Sequence, residues 1–246
     1  MTGFRNRTIN RRAMLAGGAA MGAVAVLPGC AGTGDDLGGL GGGALAGVGG
    51  AFSLADALRR LLLTASERAF ARLSEPGEFW DEKMAGLGLA ELTGSGANAL
   101  SRMLTSGPFK AQLENQFGRL AADVSKRAAP QVYRAARNIN ASEATALLRR
   151  KPGAATAFLQ RSMGSRLIDT LVPDLGRGLR SARDDSMGEL VGALNAAGVD
   201  ADKIASRLGD DIEKIIWEEI TAEEIAIRKD PAATRDLLLM RVFGDA

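Results

Sequence analysis

The sequence contains no histidine and a single cysteine, Cys30. Histidine is the commonest metal ligand in proteins and the commonest general base near neutral pH. Its absence excludes Ser-His-Asp and Cys-His catalysis together with histidine-based zinc sites. The single cysteine excludes an intrachain disulfide and any multi-cysteine metal site. We therefore assign no catalytic residue, metal or cofactor, and favour a protein that binds over one that catalyses.

Aromatic residues are also scarce, at 4% of the chain. The core must therefore be built from Leu, Ile, Val, Ala and Met, a composition that favours helices, since strands depend on β-branched and aromatic side chains. No stretch shows clean alternation with a period of two bounded by hairpin turns. We expect an all-α fold, with seven to nine helices in one domain over residues 53–244.

Charge gives no indication of a nucleic-acid partner. The chain carries 31 basic and 29 acidic residues, but residues 1–29 contain four arginines and no acid. Without that segment, 27 basic residues face 29 acidic ones. A nearly neutral protein lacks the electrostatic footprint that nucleic acids require, so no such partner is predicted.

Residues 1–29 have the three parts of a signal peptide, which are a basic start, a short apolar run and small residues at the end. Arg11 and Arg12, followed by Met14 and Leu15, resemble the twin-arginine export signal. An ordinary secretory signal that holds two arginines is the alternative. A transmembrane anchor is disfavoured because the apolar run is about 15 residues long, short of the roughly 20 needed to span a bilayer.

The signal ends in Leu27-Pro28-Gly29-Cys30, which resembles a bacterial lipobox with Cys30 as the lipid attachment site. The alternative is a soluble secreted protein cut nearby. Residues 30–52 are predicted to be a flexible tether, since ten of the nineteen residues 32–50 are glycine, and its reach is about 25 Å. We expect a periplasm-facing protein held in the membrane through its lipid. Ala31 favours the outer membrane, since Asp there is typical of inner-membrane retention.

Helix start signals recur after Ser53. Ser53 with Asp56, and Asn140 with Glu143, have the spacing of capping boxes. Asp200 and Asp230 are further candidate N-caps, the second directly before a proline. Ile212, Ile216 and Ile220 recur every four residues and are predicted to face the core. Breaks or kinks are expected at five prolines, Pro76, Pro108, Pro130, Pro152 and Pro173.

The densest polar feature is the acidic segment Trp217–Arg228. On a helix, Glu219 and Glu223 share a face and could hold a hard cation or act as an acid/base pair. We favour a solvated face, on which Glu218 and Glu219 meet water. On this interpretation Glu224 and Arg228 form at most a surface pair of roughly 0–1 kcal/mol.

The body contains a series of short motifs, which are Ala128-Ala129-Pro130, Ser142-Glu143-Ala144, Gly153-Ala154-Ala155-Thr156 with Phe158 and Arg161, Leu171-Val172-Pro173, Glu223 to Pro231 with Thr234 and Leu237-Leu238, and Arg241-Val242-Phe243-Gly244. In this order they resemble a bacterial envelope family catalogued as domain of unknown function 4197. The resemblance spans roughly residues 53–244 and implies an exported helical protein. It implies no activity.

Three functions therefore stay open. The first is a membrane-tethered, non-catalytic helical domain that binds an envelope protein or another envelope component. The second is a carboxylate-based metal-binding module or enzyme centred on Glu219, Glu223 and Glu224. The third is a carrier of a lipid or small apolar ligand, held between helices. We favour the first.

Overall fold

The computed structural model describes residues 53–87, 107–140, 142–181, 186–196 and 200–244. Within these ranges the chain forms α-helices and two short 3₁₀ turns and contains no strand. The helices are α1 (Leu54–Leu73), α2 (Glu78–Gly86), α3 (Gly107–Asn138), α4 (Ala144–Arg149), α5 (Ala154–Met163), α6 (Ile168–Ser181), α7 (Ser186–Ala196), α8 (Ala201–Lys229) and α9 (Leu237–Phe243). The prediction of an all-α fold with seven to nine helices is confirmed.

Helix α1 begins at the predicted capping box. The Asp56 backbone N–H donates to the Ser53 hydroxyl at 3.1 Å, and the Ser53 backbone N–H donates to the Asp56 carboxylate at 3.3 Å. Two free N–H groups of the first turn are thereby satisfied. The hydrogen bonds from the Ser53 side chain and backbone, with the nearby Arg59 charge, hold the pKa of Asp56 below its ordinary value.

The core lies around α1 and α8, which pack against each other. Helix α1 also contacts α3, and α8 also contacts α5 and α6. The buried side chains of α1 recur at intervals of three and four residues, as one face of a helix requires; they are Ala57, Leu58, Leu61, Leu62, Ala65, Ser66, Ala69, Phe70 and Leu73. On α3, the Tyr133 ring meets the Phe70 ring edge-on at a centroid distance of 5.7 Å.

Helix α8 runs for 29 residues through the domain. Asp200 caps it as predicted, accepting the Asp202 backbone N–H at 3.2 Å. Ile212, Ile216 and Ile220 are fully buried, which confirms their predicted orientation. Helices α8 and α6 approach closely at Gly209, where a Cβ atom would lie 2.8 Å from the Val172 Cγ2 atom.

The predicted capping box at Asn140 and Glu143 is wrong. Helix α4 starts at Ala144, and Glu143 makes no side-chain cap. The Asn140 side-chain oxygen instead accepts the backbone N–H of Ser142, two positions later, at 3.0 Å, as asparagine side chains do in turns. The same residue types favour both structures, so the spacing alone did not decide between them.

The five prolines differ in their positions. Pro76 and Pro152 lie between helices, Pro108 is the second residue of α3, and Pro130 and Pro173 lie inside α3 and α6. A break or a kink was expected at each proline. At Pro130 and Pro173 the helix continues through the proline, so a break is excluded there.

The C-terminal segment forms a 3₁₀ turn, Pro231–Thr234, and the short helix α9. Asp230 caps the turn through the Ala233 N–H, and Asp236 caps α9 through the Leu238 and Leu239 N–H groups. All helices belong to one compact unit, Gly47–Ala246. Residues 31–246 therefore retain every contact of this core.

Candidate functional site

The acidic segment of α8 divides into two clusters with different surroundings. The first contains Glu224 and Arg228, and the second contains Glu219 and Glu223. Each cluster involves one arginine, and both carry the polar side chains that the sequence singled out.

Glu224 is completely buried. Its Oε2 atom accepts the Thr156 backbone N–H and the Thr156 hydroxyl, both at 2.7 Å. Its Oε1 atom accepts the Gly153 N–H at 3.0 Å and the Ala155 N–H at 3.4 Å. These donors belong to the N-terminus of α5, where backbone N–H groups lack helical partners and the helix dipole favours a negative charge. Glu224 therefore caps α5 from a different helix.

Arg228 binds backbone carbonyl groups at the C-terminus of the preceding helix, α4. Its side chain is 6% exposed, and its guanidinium lies 2.8 Å from the Glu224 carboxylate. The same guanidinium donates to the carbonyl oxygens of Leu148 at 3.0 Å, Arg150 at 3.2 Å and Leu147 at 3.3 Å. Carbonyls at a helix C-terminus lack intrahelical donors and attract cations. Arg228 therefore completes the end of α4.

Together these two side chains join the α4–α5 turn to α8. We call this set of contacts the Glu224 network, made of Glu224, Arg228, Thr156 and Gly153. The expectation of a weak surface pair is wrong. A spacing of four residues shows that two side chains share a helix face, but whether that face is covered depends on residues about 70 positions earlier.

Gly153 and Thr156 are functional parts of this network that residue chemistry alone did not assign. Gly153 has a φ of +91°, in the left-handed region that glycine adopts without strain. A Cβ atom there would lie 3.2 Å from the Thr221 Cγ2 atom on α8. Both residues fall in the Gly153-Ala154-Ala155-Thr156 motif, so the sequence did mark these positions. It gave no sign that Glu224 is the residue they bind.

The second cluster is held by Arg72 of α1. Its guanidinium lies 2.6 Å from the Glu219 carboxylate and 3.3 Å from the Glu223 carboxylate. The prediction that the two glutamates share a face is confirmed. The prediction that Glu219 meets solvent is wrong, since this residue is 9% exposed, whereas Glu218 is exposed as expected. Arg72 lies 147 residues before Glu219, too far for a sequence pattern to reveal the pairing.

The Arg72 cluster bears directly on metal binding. The guanidinium places a positive charge between the two carboxylates, where a divalent cation would need to bind. Within the described ranges, no three acidic side chains come together as a potential metal site. The chemistry of the donor set fits a structural ion pair better than a cation site.

A groove lies on the outer side of α8. It has a volume of about 500 Å³ and is open to solvent. Its lining residues are Gln160, Asp210, Glu213, Lys214, Trp217, Glu218, Thr221, Ala222 and Ile225. The Trp217 indole N–H donates to the Glu213 carboxylate at 3.3 Å, and Ile225 is 44% exposed. A groove lined by a tryptophan, apolar side chains and charged side chains can bind an extended chain or an apolar group.

The remaining candidate residues, Cys30, Arg11 and Arg12, lie outside the described residues, as do the predicted signal (residues 1–29) and tether (residues 30–52). Of the helices that the structure does describe, none has both the length and the apolar character needed to cross a membrane.

Comparison with known proteins gives a family and no activity. No curated protein and no solved structure matches the chain. The family described as protein of unknown function DUF4197 matches residues 50–244, which includes every helix described above and the whole Glu224 network. This match agrees with the resemblance of the sequence motifs, and the chain belongs to the DUF4197 family.

Proposed function

We propose that this protein is a lipid-anchored component of the bacterial envelope whose helical domain binds a partner and does not catalyse. The single observation that supports binding over catalysis is the way in which three glutamates of the acidic segment are held by the protein. Glu224 is saturated by backbone and arginine donors, and Glu219 and Glu223 share Arg72. A general acid or base must reach a substrate proton, and these carboxylates are directed at the protein itself.

The open groove on α8 supports binding in preference to carriage. A carrier encloses most of an apolar ligand, whereas this groove is open and bordered by charged side chains. We assign the partner contact to this groove. Ala222 lies within it and is exposed, so a photo-reactive residue there should cross-link the partner in intact envelopes.

The matched control is the same photo-reactive residue at Ala111, which is exposed on α3 outside the groove. A discrete cross-linked product at position 222 and none at 111 is expected. Equal products at both positions, or none at 222, would contradict binding through the groove.

The anchor half is supported by Leu27-Pro28-Gly29-Cys30 and the glycine-rich tether that follows. Replacing Cys30 with Ser should abolish labelling by a fatty-acid probe and release the protein from the membrane fraction into the soluble periplasmic fraction. A Cys30→Ser protein that stays in the membrane fraction would show that another element anchors it. Fractionation of wild-type envelopes should find the protein with the outer membrane, as Ala31 suggests.

The export route is a separate part of the proposal. Changing Arg11 and Arg12 together to Lys preserves charge but removes the planar guanidinium groups. This double variant should block export through the twin-arginine route, which carries folded proteins. Normal export of the variant would instead indicate the general secretory route.

A further inference from the structure

A second concavity lies where the start of α1 meets α9 and the end of α3. It has a volume of about 400 Å³. We call it the α1–α9 surface, and its lining residues are Asp56, Arg59, Arg60, Leu63, Arg137 and Leu238. It shares no residue with the groove on α8 or with the Glu224 network.

The charges of the α1–α9 surface leave a positive excess. Asp56 neutralises Arg59 at 3.3 Å, and Asp236 neutralises Arg60 at 3.1 Å. Arg137 forms no ion pair with a described residue and is exposed. Arg241 is also exposed and follows Leu238 by three residues, which places both on one face of α9. Arg137 and Arg241 are thus free to meet an anionic partner.

Exposed apolar side chains lie at the same end. Among the described residues, three large hydrophobic side chains are exposed, and two of them are Leu54 at the start of α1 and Leu237 at the start of α9. Leu237 is 78% exposed and directly precedes Leu238 of the concavity. Leucines beside arginines are the combination that inserts into a head-group region while pairing with its phosphates.

The position of the chain entry favours a membrane as the partner. Residue 53 begins the domain at α1, and the glycine-rich residues 32–50 precede it. A tether of that length keeps the domain within about 25 Å of the attachment point. Along the chain, the end of α1 that carries this surface is the end that follows Cys30 and the glycine-rich residues.

We infer that the α1–α9 surface seats the domain on an anionic phospholipid membrane, with Arg137 and Arg241 at the phosphates and Leu237 in the head-group region. This inference rests on the proposed lipid anchor, which brings the surface and the bilayer together. The two signals reinforce each other, since lipid anchors and basic patches add their contributions to membrane affinity.

The experiment measures binding of residues 31–246, which lack Cys30, to sedimenting vesicles. One set contains phosphatidylglycerol and phosphatidylcholine in equal parts, and the other contains phosphatidylcholine alone. Binding only to the anionic vesicles, weakened by added salt, is expected. The double variant Arg137→Gln/Arg241→Gln should bind about 30-fold more weakly, as the loss of two membrane-facing arginines predicts.

The matched control is Arg119→Gln/Arg166→Gln, which removes the same charge from two exposed arginines elsewhere. Arg119 lies on α3 eighteen residues before Arg137, about 27 Å along the helix. The control should bind like the wild type. Leu237→Gln should weaken binding, whereas Ile225→Gln, at the exposed Ile225 of the α8 groove, should not.

Three results would overturn the inference: no preference for anionic vesicles, equal loss in both double variants, or displacement of the protein by millimolar inorganic phosphate. The last would identify a site for a soluble anion. Melting curves of all variants ensure that folded proteins are compared. Because residues 31–246 carry no lipid, failure here leaves the anchor untouched, and failure of the Cys30→Ser fractionation leaves this measurement unaffected.

Discussion

Two arginine–glutamate clusters use glutamates from successive turns of α8 and have very different surroundings. In the Glu224 network, the side chains of Arg228 and Glu224 are 6% and 0% exposed, and both make several hydrogen bonds to backbone groups around the ends of α4 and α5. In the Arg72 cluster, the arginine side chain is 52% exposed and joins two glutamates whose side chains alone are 12% and 15% exposed.

The difference shows that the strength of an ion pair is set by what surrounds it. Loss of one partner from a buried pair leaves an uncompensated charge, which costs about 3–5 kcal/mol. Water replaces much of an exposed arginine's interaction, and such pairs contribute roughly 0–1 kcal/mol. Adjacent glutamates of one helix are therefore expected to differ severalfold in their contribution to stability.

The largest expected effect belongs to Glu224→Gln. The amide cannot balance the Arg228 charge, and its NH₂ group opposes the N–H donors of α5. We expect the free energy of unfolding to fall by about 3–5 kcal/mol. Chemical denaturation measures the change. The control Glu218→Gln alters an exposed residue, and a Glu224→Gln loss no greater than that of the control would contradict a buried network.

Ile216→Ala measures how much apolar packing on the same helix contributes to the free energy of unfolding. Ile216 is fully buried, so its truncation should leave a cavity and lower the free energy of unfolding by about 2–5 kcal/mol. Ile225→Ala, at an exposed position of α8, should change it little. Equal losses of stability in Ile216→Ala and Ile225→Ala would contradict the burial of Ile216 in the core.

Thr156→Val sharpens the comparison within the Glu224 network. Valine keeps the backbone N–H bond to Glu224 and the side-chain volume, and it removes only the hydroxyl that donates at 2.7 Å. A loss of about 1–3 kcal/mol is expected for a buried acceptor that loses one donor. In a double-mutant cycle with Glu224→Gln the two losses should not add, because the hydroxyl acts through that carboxylate. Additive losses would show that Thr156 and Glu224 stabilise the domain independently of each other.

The smallest effects are expected in the Arg72 cluster. Glu219→Gln and Glu223→Gln should each lower the free energy of unfolding by less than about 1 kcal/mol. Added calcium or magnesium should not raise the melting temperature, because Arg72 occupies the space between the carboxylates. A divalent-cation stabilisation that disappears in Glu223→Gln would instead make this cluster a metal site.

Local signals predicted the helices well. Ser53 with Asp56 and the cap at Asp200 depend on hydrogen bonds that span two or three residues, and the structure contains both. The burial of Ile212, Ile216 and Ile220 follows from a period that needs only the helix itself. Asn140 failed because its side chain forms a turn or a cap from the same local sequence.

The sequence by itself determined that this chain is helical, where several helices begin and which face of α8 is apolar, because those properties depend on neighbours within one turn. Only the tertiary structure decided the roles of the polar residues. Lys214 with Glu218 and Glu224 with Arg228 have the same four-residue spacing, yet the first pair is exposed and the second is buried. The residues at the start of α5 that cover Glu224 lie 68 to 71 positions away in the chain, so that contact depends on tertiary packing and not on local sequence.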